Sequence, residues 1–319
     1  MKRRVALAAL PICIAGGWLA APVRWQVTGL SMAPGLAPGD VVASGWCPLL
    51  DRWRAPGRGE RWTFLEPGGG LAVKRVWGLP CEAIGFADGD LTVDGVVVVK
   101  PPSVLGQMAL PVAGTIHGDA TTAVRIEIDD PALDDVPFAP DERRLLVPVR
   151  DVGVTAIVHV AEAAGVRSPE VVIRVGDRAV RVRTRERGRF AIVAGRLDGR
   201  FVAAAWPVDE ADGGGGLAVP PGAPATWSID TAWSGDDGVK TFDVAVAGDG
   251  LEADVRLERV TPWRDVHHLP AADGTTQWRL GRSECFLLGD FPGGSRDSRH
   301  HGPVDMARLR HRVRSGLRR

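Results

Sequence analysis

A chain of 319 residues with 45% hydrophobic content can bury a proper core, and its length allows two domains or one domain with a large insertion. Lys plus Arg equal Asp plus Glu at 39 each, so the chain lacks the basic footprint of a nucleic-acid binder and no nucleic-acid partner is expected. The 40 glycines and 24 prolines favour turn-rich β architecture over helical bundles.

Lys2-Arg3-Arg4 opens the chain, and Val5–Val23 follows without a charge. At about 1.5 Å per residue a helix of that length spans roughly the 30 Å hydrocarbon core of a bilayer. The positive flank places residues 1–4 in the cytoplasm and the rest outside. A cleaved secretory signal is the alternative, since Leu19-Ala20-Ala21 is an acceptable small-residue cleavage site. Arg24–Leu30 then alternates as a short strand running into Ser31-Met32-Ala33-Pro34. Pro34, Gly35, Pro38 and Gly39 force a turn-rich path before a strand resumes at Asp40–Ala43. Arg58–Phe64 reads as a further strand, and Leu71–Trp77 as the strand that carries Lys74. Ala83–Val99 reads as a meander turning at Asp88-Gly89 and Asp94-Gly95, because Asp-Gly suits tight hairpins.

Ser103–Arg259 is a long stretch with strands at Val124–Ile128, Val171–Val175 and Val180–Arg183. A turn is expected at Asp236-Asp237-Gly238 and a flexible joint at Gly213–Gly216. It holds no repeat and no catalytic constellation. It therefore reads as a β-rich insertion of spacer or interaction type, with an unidentified envelope component as the partner it would bind. Its charged outward faces equally suit ordinary solvated strands.

Cys13, Cys47, Cys81 and Cys285 show no Cys-x-x-Cys spacing. With Cys13 in the apolar segment, three remain. At least one of these is then a free thiol, is capped or pairs between chains, and the set is expected to be mostly buried small apolar residues. His267-His268 and His300-His301 are adjacent pairs whose side chains diverge on a strand, so neither reads as a metal site. No metal and no cofactor is expected.

Three stretches carry chemistry: Ser31-Met32-Ala33-Pro34, then Ala72-Val73-Lys74-Arg75-Val76-Trp77-Gly78-Leu79-Pro80, then Gly289-Asp290-Phe291-Pro292-Gly293-Gly294-Ser295-Arg296-Asp297-Ser298-Arg299. They supply a hydroxyl, an amine, and a second hydroxyl with an ion pair. A serine hydroxyl is a poor nucleophile without a nearby base, and a lysine serves if burial depresses its pKa towards neutrality. Leu71, Ala72, Val73, Val76 and Trp77 give Lys74 an apolar neighbourhood suited to that. A single lysine in a strand is ordinarily a solvated edge charge; the joint presence of the Ser31 and Ser295 motifs tips the reading towards a base.

In this order the three stretches resemble type I signal peptidases, the membrane-bound serine proteases that remove signal peptides from exported proteins. The resemblance covers roughly residues 1–100 and 263–304. It implies that Ser31 attacks the scissile carbonyl, that Lys74 takes its proton, and that Ser295 hydrogen-bonds the lysine amine. Asp297 and Arg299 would form a structural ion pair, with Asp290 and Ser298 as scaffold. Gly29 matches family members that lack a hydroxyl there, leaving the oxyanion to backbone N–H groups, Ser31's own first. Substrate would lie as an extended strand against Arg24–Leu30 and Leu71–Val73, touching Val27, Thr28, Ala72 and Val73, with shallow pockets for Ala-x-Ala-like sites. The implied partners are signal peptides of exported preproteins and cytoplasmic membrane lipids. The resemblance also favours retention of Val5–Val23 as a single-pass anchor in a bacterial cytoplasmic membrane. The chain departs from the family at Gly35, where threonine is usual, at Cys81-Glu82 in place of Gly-Asp, and at Phe291 in place of asparagine. A cysteine at a position built for φ > 0 would be strained.

The expected fold is mainly β: a signal-peptidase-like β catalytic core, interrupted by a β-rich insertion and preceded by one transmembrane helix. Its divisions are 1–4 cytoplasmic, 5–23 anchor, 24–102 and 261–304 catalytic core, 103–260 insertion, and 305–319 basic tail. Two other readings compete. One is a catalytically degenerate paralogue or anchored β-sandwich binding protein. The other is a self-cleaving repressor-like Ser/Lys peptidase, against which the membrane segment and the Ser295–Arg299 box weigh.

Overall fold

Short runs of β-branched residues punctuated by Asp-Gly turns make the chain mainly β, as its composition suggests. The computed structural model describes residues 22–45, 51, 54–118, 122–128, 133–134, 147–161, 170–183, 187–209, 219–220, 222–233, 239–247 and 255–317. The anchor expected at 5–23 falls outside these except for its last two residues, as do the joint at 213–216 and the turn at 236–238. Among the described residues no helix is long and apolar enough to cross a membrane.

The chain divides into two compact units. One takes the segment ending at Phe86, Thr92–Gly95 and the segment from Pro270 on; the other takes Ala87–Leu91 and Val96–Leu269. The second unit is therefore wider than the 103–260 insertion and includes Lys100 and Asp265.

In the first unit a seven-stranded sheet runs in the order Arg24–Gln26, Val41–Ser44, Leu309–Leu317, Arg61–Leu65, Leu71–Gly78, Glu284–Leu288, Val304–Asp305. Every pairing in it is antiparallel. The Leu309–Leu317 strand pairs on both sides, although its residues read in the sequence as a basic tail. Among its described side chains Leu309 and Val313 are buried, and the arginines between them hide the alternation. One apolar cluster joins Trp62, Phe64, Val76, Cys285, Leu287, Val304 and Leu309. A second joins Met32, Leu36, Val42 and Val313, with Trp25, Val27 and Val73 half-buried against it.

The expected turns form: Asp88-Gly89 and Asp94-Gly95 each place both residues at φ > 0, which lets a two-residue hairpin follow the strand twist. Cys81 lies at φ 70°, the left-handed conformation in which a cysteine is strained. It is exposed rather than buried. Cys285, in contrast, is buried as expected, and burial pushes its thiol up to about 12.

The second unit is a sandwich of two antiparallel sheets. Five strands run in the order Arg178–Arg183, Glu170–Val175, Thr241–Ala247, Ala123–Ile128, Gly114–His117. Six run in the order Ile229–Ala232, Arg200–Pro207, Gly188–Leu197, Val152–Val160, Val255–Arg264, Leu110–Pro111. Val124, Ile126, Ile173, Val244, Val154, Ile192 and Phe201 are part of the core between them. Ala123–Ile128 has one buried and one exposed face, hence its strict alternation. Val152–Val160 is buried on both faces, because the Pro102–Met108 helix and Trp263 pack on the outer side of its sheet through Leu105 and Ala109.

Candidate active site

The catalytic candidates all lie in the first unit. Ser31 sits in a tight turn closed by hydrogen bonds from Ala33 N–H to Leu30 O and from Leu36 N–H to Met32 O, both 2.8 Å. Buried Met32 and Leu36 root that turn in the apolar cluster beneath it. The carbonyl of Ser31 accepts from Phe291 N–H at 3.2 Å, tying the turn to the segment after Gly289.

Lys74 is 3% exposed, and Trp62 lies directly opposite it on the neighbouring strand. Opposite residues in a ladder share a face, so the indole helps remove water from the ammonium. Lys74 Nζ stands 2.8 Å from Ser31 Oγ and 3.3 Å from the carbonyl of Val73. Burial holds this ammonium below the usual lysine range; the carboxylates of Asp297, Glu66 and Asp290 push the other way, and Arg299 adds to the depression. The arrangement is a hydroxyl in hydrogen-bond contact with an amine whose charged form is disfavoured.

Gly289 explains how the third stretch comes so close. A Cβ there would lie 2.2 Å from Ser295 Oγ and 2.5 Å from Ser31 O, so only glycine lets the two serines press on the same point. Ser295 is buried at 5% exposure, and its Oγ has no hydrogen-bond partner among the described residues. The expected bond from Ser295 to the lysine amine is therefore not made here; the amine contacts are Ser31 Oγ and the Val73 carbonyl.

Asp297 and Arg299 form a buried two-armed pair, Nε to Oδ1 and Nη2 to Oδ2, both 2.9 Å. Asp297 also accepts from the N–H groups of Gly289, at 3.0 Å, and Arg299, at 3.2 Å, the latter capping the short Ser298–His301 helix. Arg299 Nη2 reaches the Pro292 carbonyl at 2.9 Å, and Ser298 Oγ accepts from Leu287 N–H at 3.0 Å. A second buried pair sits alongside: Arg75 donates to both oxygens of Asp290, at 2.8 and 2.5 Å. Burial and the adjacent Arg75 push the Arg61 guanidinium down to about 10.

The residues expected to meet substrate are placed variously. Val27 and Val73 border the cluster under Ser31, while Ala72 borders the Trp62 and Phe64 cluster. Thr28 and Gly29 are exposed, with open space where a Gly29 side chain would be. Glu284–Leu288 pairs along Leu71–Gly78 only as far as Arg75, so among the described residues Leu71–Lys74 have a strand neighbour on one side alone. Arg24–Gln26 is likewise at an end of the sheet order.

Sequence reasoning passed over Glu66, whose charge acts on Lys74, and over the Arg75 contact to Asp290. Arg75 and Asp290 both stood inside the quoted motifs, and Asp290 was read as scaffold, but Arg75 was not read as its partner. Nothing local marks Glu66. No protein-family model matches the chain, and no curated protein matches it either.

Proposed function

We propose that the chain is a serine endopeptidase of the signal-peptidase type, cleaving exported preproteins after small residues with a Ser31/Lys74 dyad. The observation that carries this is the 2.8 Å approach of Lys74 Nζ to Ser31 Oγ by a lysine only 3% exposed. Neutral Lys74 accepts the hydroxyl proton as Oγ attacks the scissile carbonyl. The resulting oxyanion is met by backbone N–H groups, with Ser31's own as the first donor. Collapse breaks the C–N bond, and the proton on Lys74 passes to the leaving amine. Water then attacks the acyl-serine, giving its proton to Lys74, and the carboxylic acid leaves as Oγ recovers a proton.

The open strand edge at Leu71–Val73 supports substrate binding by strand addition, with alternate side chains reaching Val27, Thr28, Ala72 and Val73. Residues 5–23 anchor the chain once through a bacterial cytoplasmic membrane, with the catalytic unit on the outer side. N-terminal sequencing of membrane-derived protein then finds Met1–Val23 still attached. Purified full chain cleaves a peptide carrying an Ala-x-Ala site, and Ser31→Ala and Lys74→Ala each abolish that cleavage. Undiminished cleavage by either folded variant sinks the proposal.

A further inference from the structure

The second unit holds a buried acidic cluster that no spacing in the sequence announces. Lys100, fully buried, pairs with Asp198 at 2.5 Å and Asp265 at 2.6 Å. The N–H of Lys100 donates to Asp198 Oδ2, and the N–H of Asp198 donates to Asp151 Oδ2, both at 2.8 Å. One carboxylate oxygen from each of Asp90, Asp151 and Asp198 lies within 4.8 Å of the others. Asp90, Asp151 and Asp265 also line a cavity of about 130 Å³, together with Arg196 and His267.

Two carboxylates in this cluster are under-partnered. The Asp90 side chain makes no hydrogen bond or ion pair among the described residues. Asp265 is 1% exposed; its Oδ2 faces the Lys100 ammonium, while its Oδ1 has no hydrogen bond of good geometry. Lys100 thus answers two of the four carboxylates, Asp198 and Asp265, and Arg196 Nε stands 3.8 Å from Asp151 Oδ1. Half-buried Asp90 is the one of the four with no cation in contact among the described residues, and desolvating a carboxylate without one is costly. The cavity leaves room for an ion and the waters that complete its coordination.

We propose that Asp90, Asp151 and Asp198 bind a calcium ion, with Asp265 facing it from the cavity wall. Carboxylate oxygens are hard donors, which favours an alkaline-earth ion over softer metals. Calcium accepts irregular coordination where magnesium demands a near-ideal octahedron, which suits carboxylates already fixed by contacts to Lys100 and to backbone N–H groups. Lys100 remains in place, holding Asp198 and Asp265 in position for the ion.

The test is calorimetric titration of chelator-treated full-length protein with calcium chloride, which does not pass through peptidase activity. The expected result is one ion per chain, a Kd at or below about 1 mM as in extracellular calcium modules, a raised thermal midpoint, and at least tenfold weaker magnesium binding. Asp90→Asn should weaken binding at least tenfold yet melt like the wild type in chelator, because its side chain makes no hydrogen bond. Absence of binding up to about 10 mM, well above that range, overturns the proposal. So does unchanged affinity in Asp90→Asn, and magnesium binding as tight as calcium overturns the choice of ion.

Discussion

Asp297→Ala tests how the segment beside Ser31 is held. The carboxylate is fully buried and Arg299 is 6% exposed, so the substitution leaves a guanidinium in the interior with the Pro292 carbonyl as its remaining acceptor at 2.9 Å. Removing one partner of a buried pair costs about 3–5 kcal/mol, a large part of the roughly 5–15 kcal/mol that keeps a domain folded. Urea denaturation, read by pulse proteolysis of peptides from residues 284–304, follows this unit apart from the other. Adding Arg299→Ala should recover about 1–3 kcal/mol relative to the sum of the single variants. Acid supplies an independent check. Burial alone would raise the Asp297 carboxyl, but bonding to His300 and Arg299 and the Arg299 charge hold it well below the usual range. A depressed carboxyl contributes stability that is present above its unfolded pKa of about 3.9 and is lost as pH falls towards the folded value. The difference between wild type and Asp297→Ala should therefore narrow below about pH 4. A cost under about 1 kcal/mol, or a difference that does not narrow in acid, refutes the reasoning.

Glu66→Gln removes a charge that favours the ammonium of Lys74, so the pH midpoint of cleavage should move down; a midpoint that stays or rises contradicts that electrostatic account. Gly289→Ala puts a Cβ 2.5 Å from the Ser31 carbonyl, and steady-state kinetics should show kcat falling by more than tenfold while circular dichroism stays native. Cys81→Gly relieves a left-handed cysteine at φ 70°, and thermal melting should show a gain of up to about 1 kcal/mol after the entropy of glycine is counted.

The strands of the first unit were legible where apolar residues alternate, and the Asp-Gly turns were legible because their chemistry fixes their geometry. Leu309–Leu317 was not, since buried Leu309 and Val313 are separated by arginines that look like a solvated tail. The sandwich strand Val152–Val160 gave no alternation either, because both of its faces are covered. Ser31, Lys74 and the Asp297–Arg299 pair could be picked out as parts of motifs, and they come together. The state of Ser295 could not be read: whether its hydroxyl meets the lysine depends on side-chain rotation within a contact that Gly289 creates. The acidic cluster was out of reach for a simpler reason. Asp90, Asp151, Asp198 and Asp265 are scattered through the chain and meet only once the second unit has folded.

The most direct test of the dyad is kcat/KM against pH for wild type and for Lys74→Arg. Wild type should gain activity through a single ionisation well below the pKa of about 10.4 of a free lysine, because only the neutral amine accepts the Ser31 proton. Lys74→Arg should be inactive throughout, since a guanidinium stays protonated. Cleavage by folded Lys74→Arg at near wild-type rate would contradict the dyad and direct attention to another base, with His300 and His301 the first to be replaced.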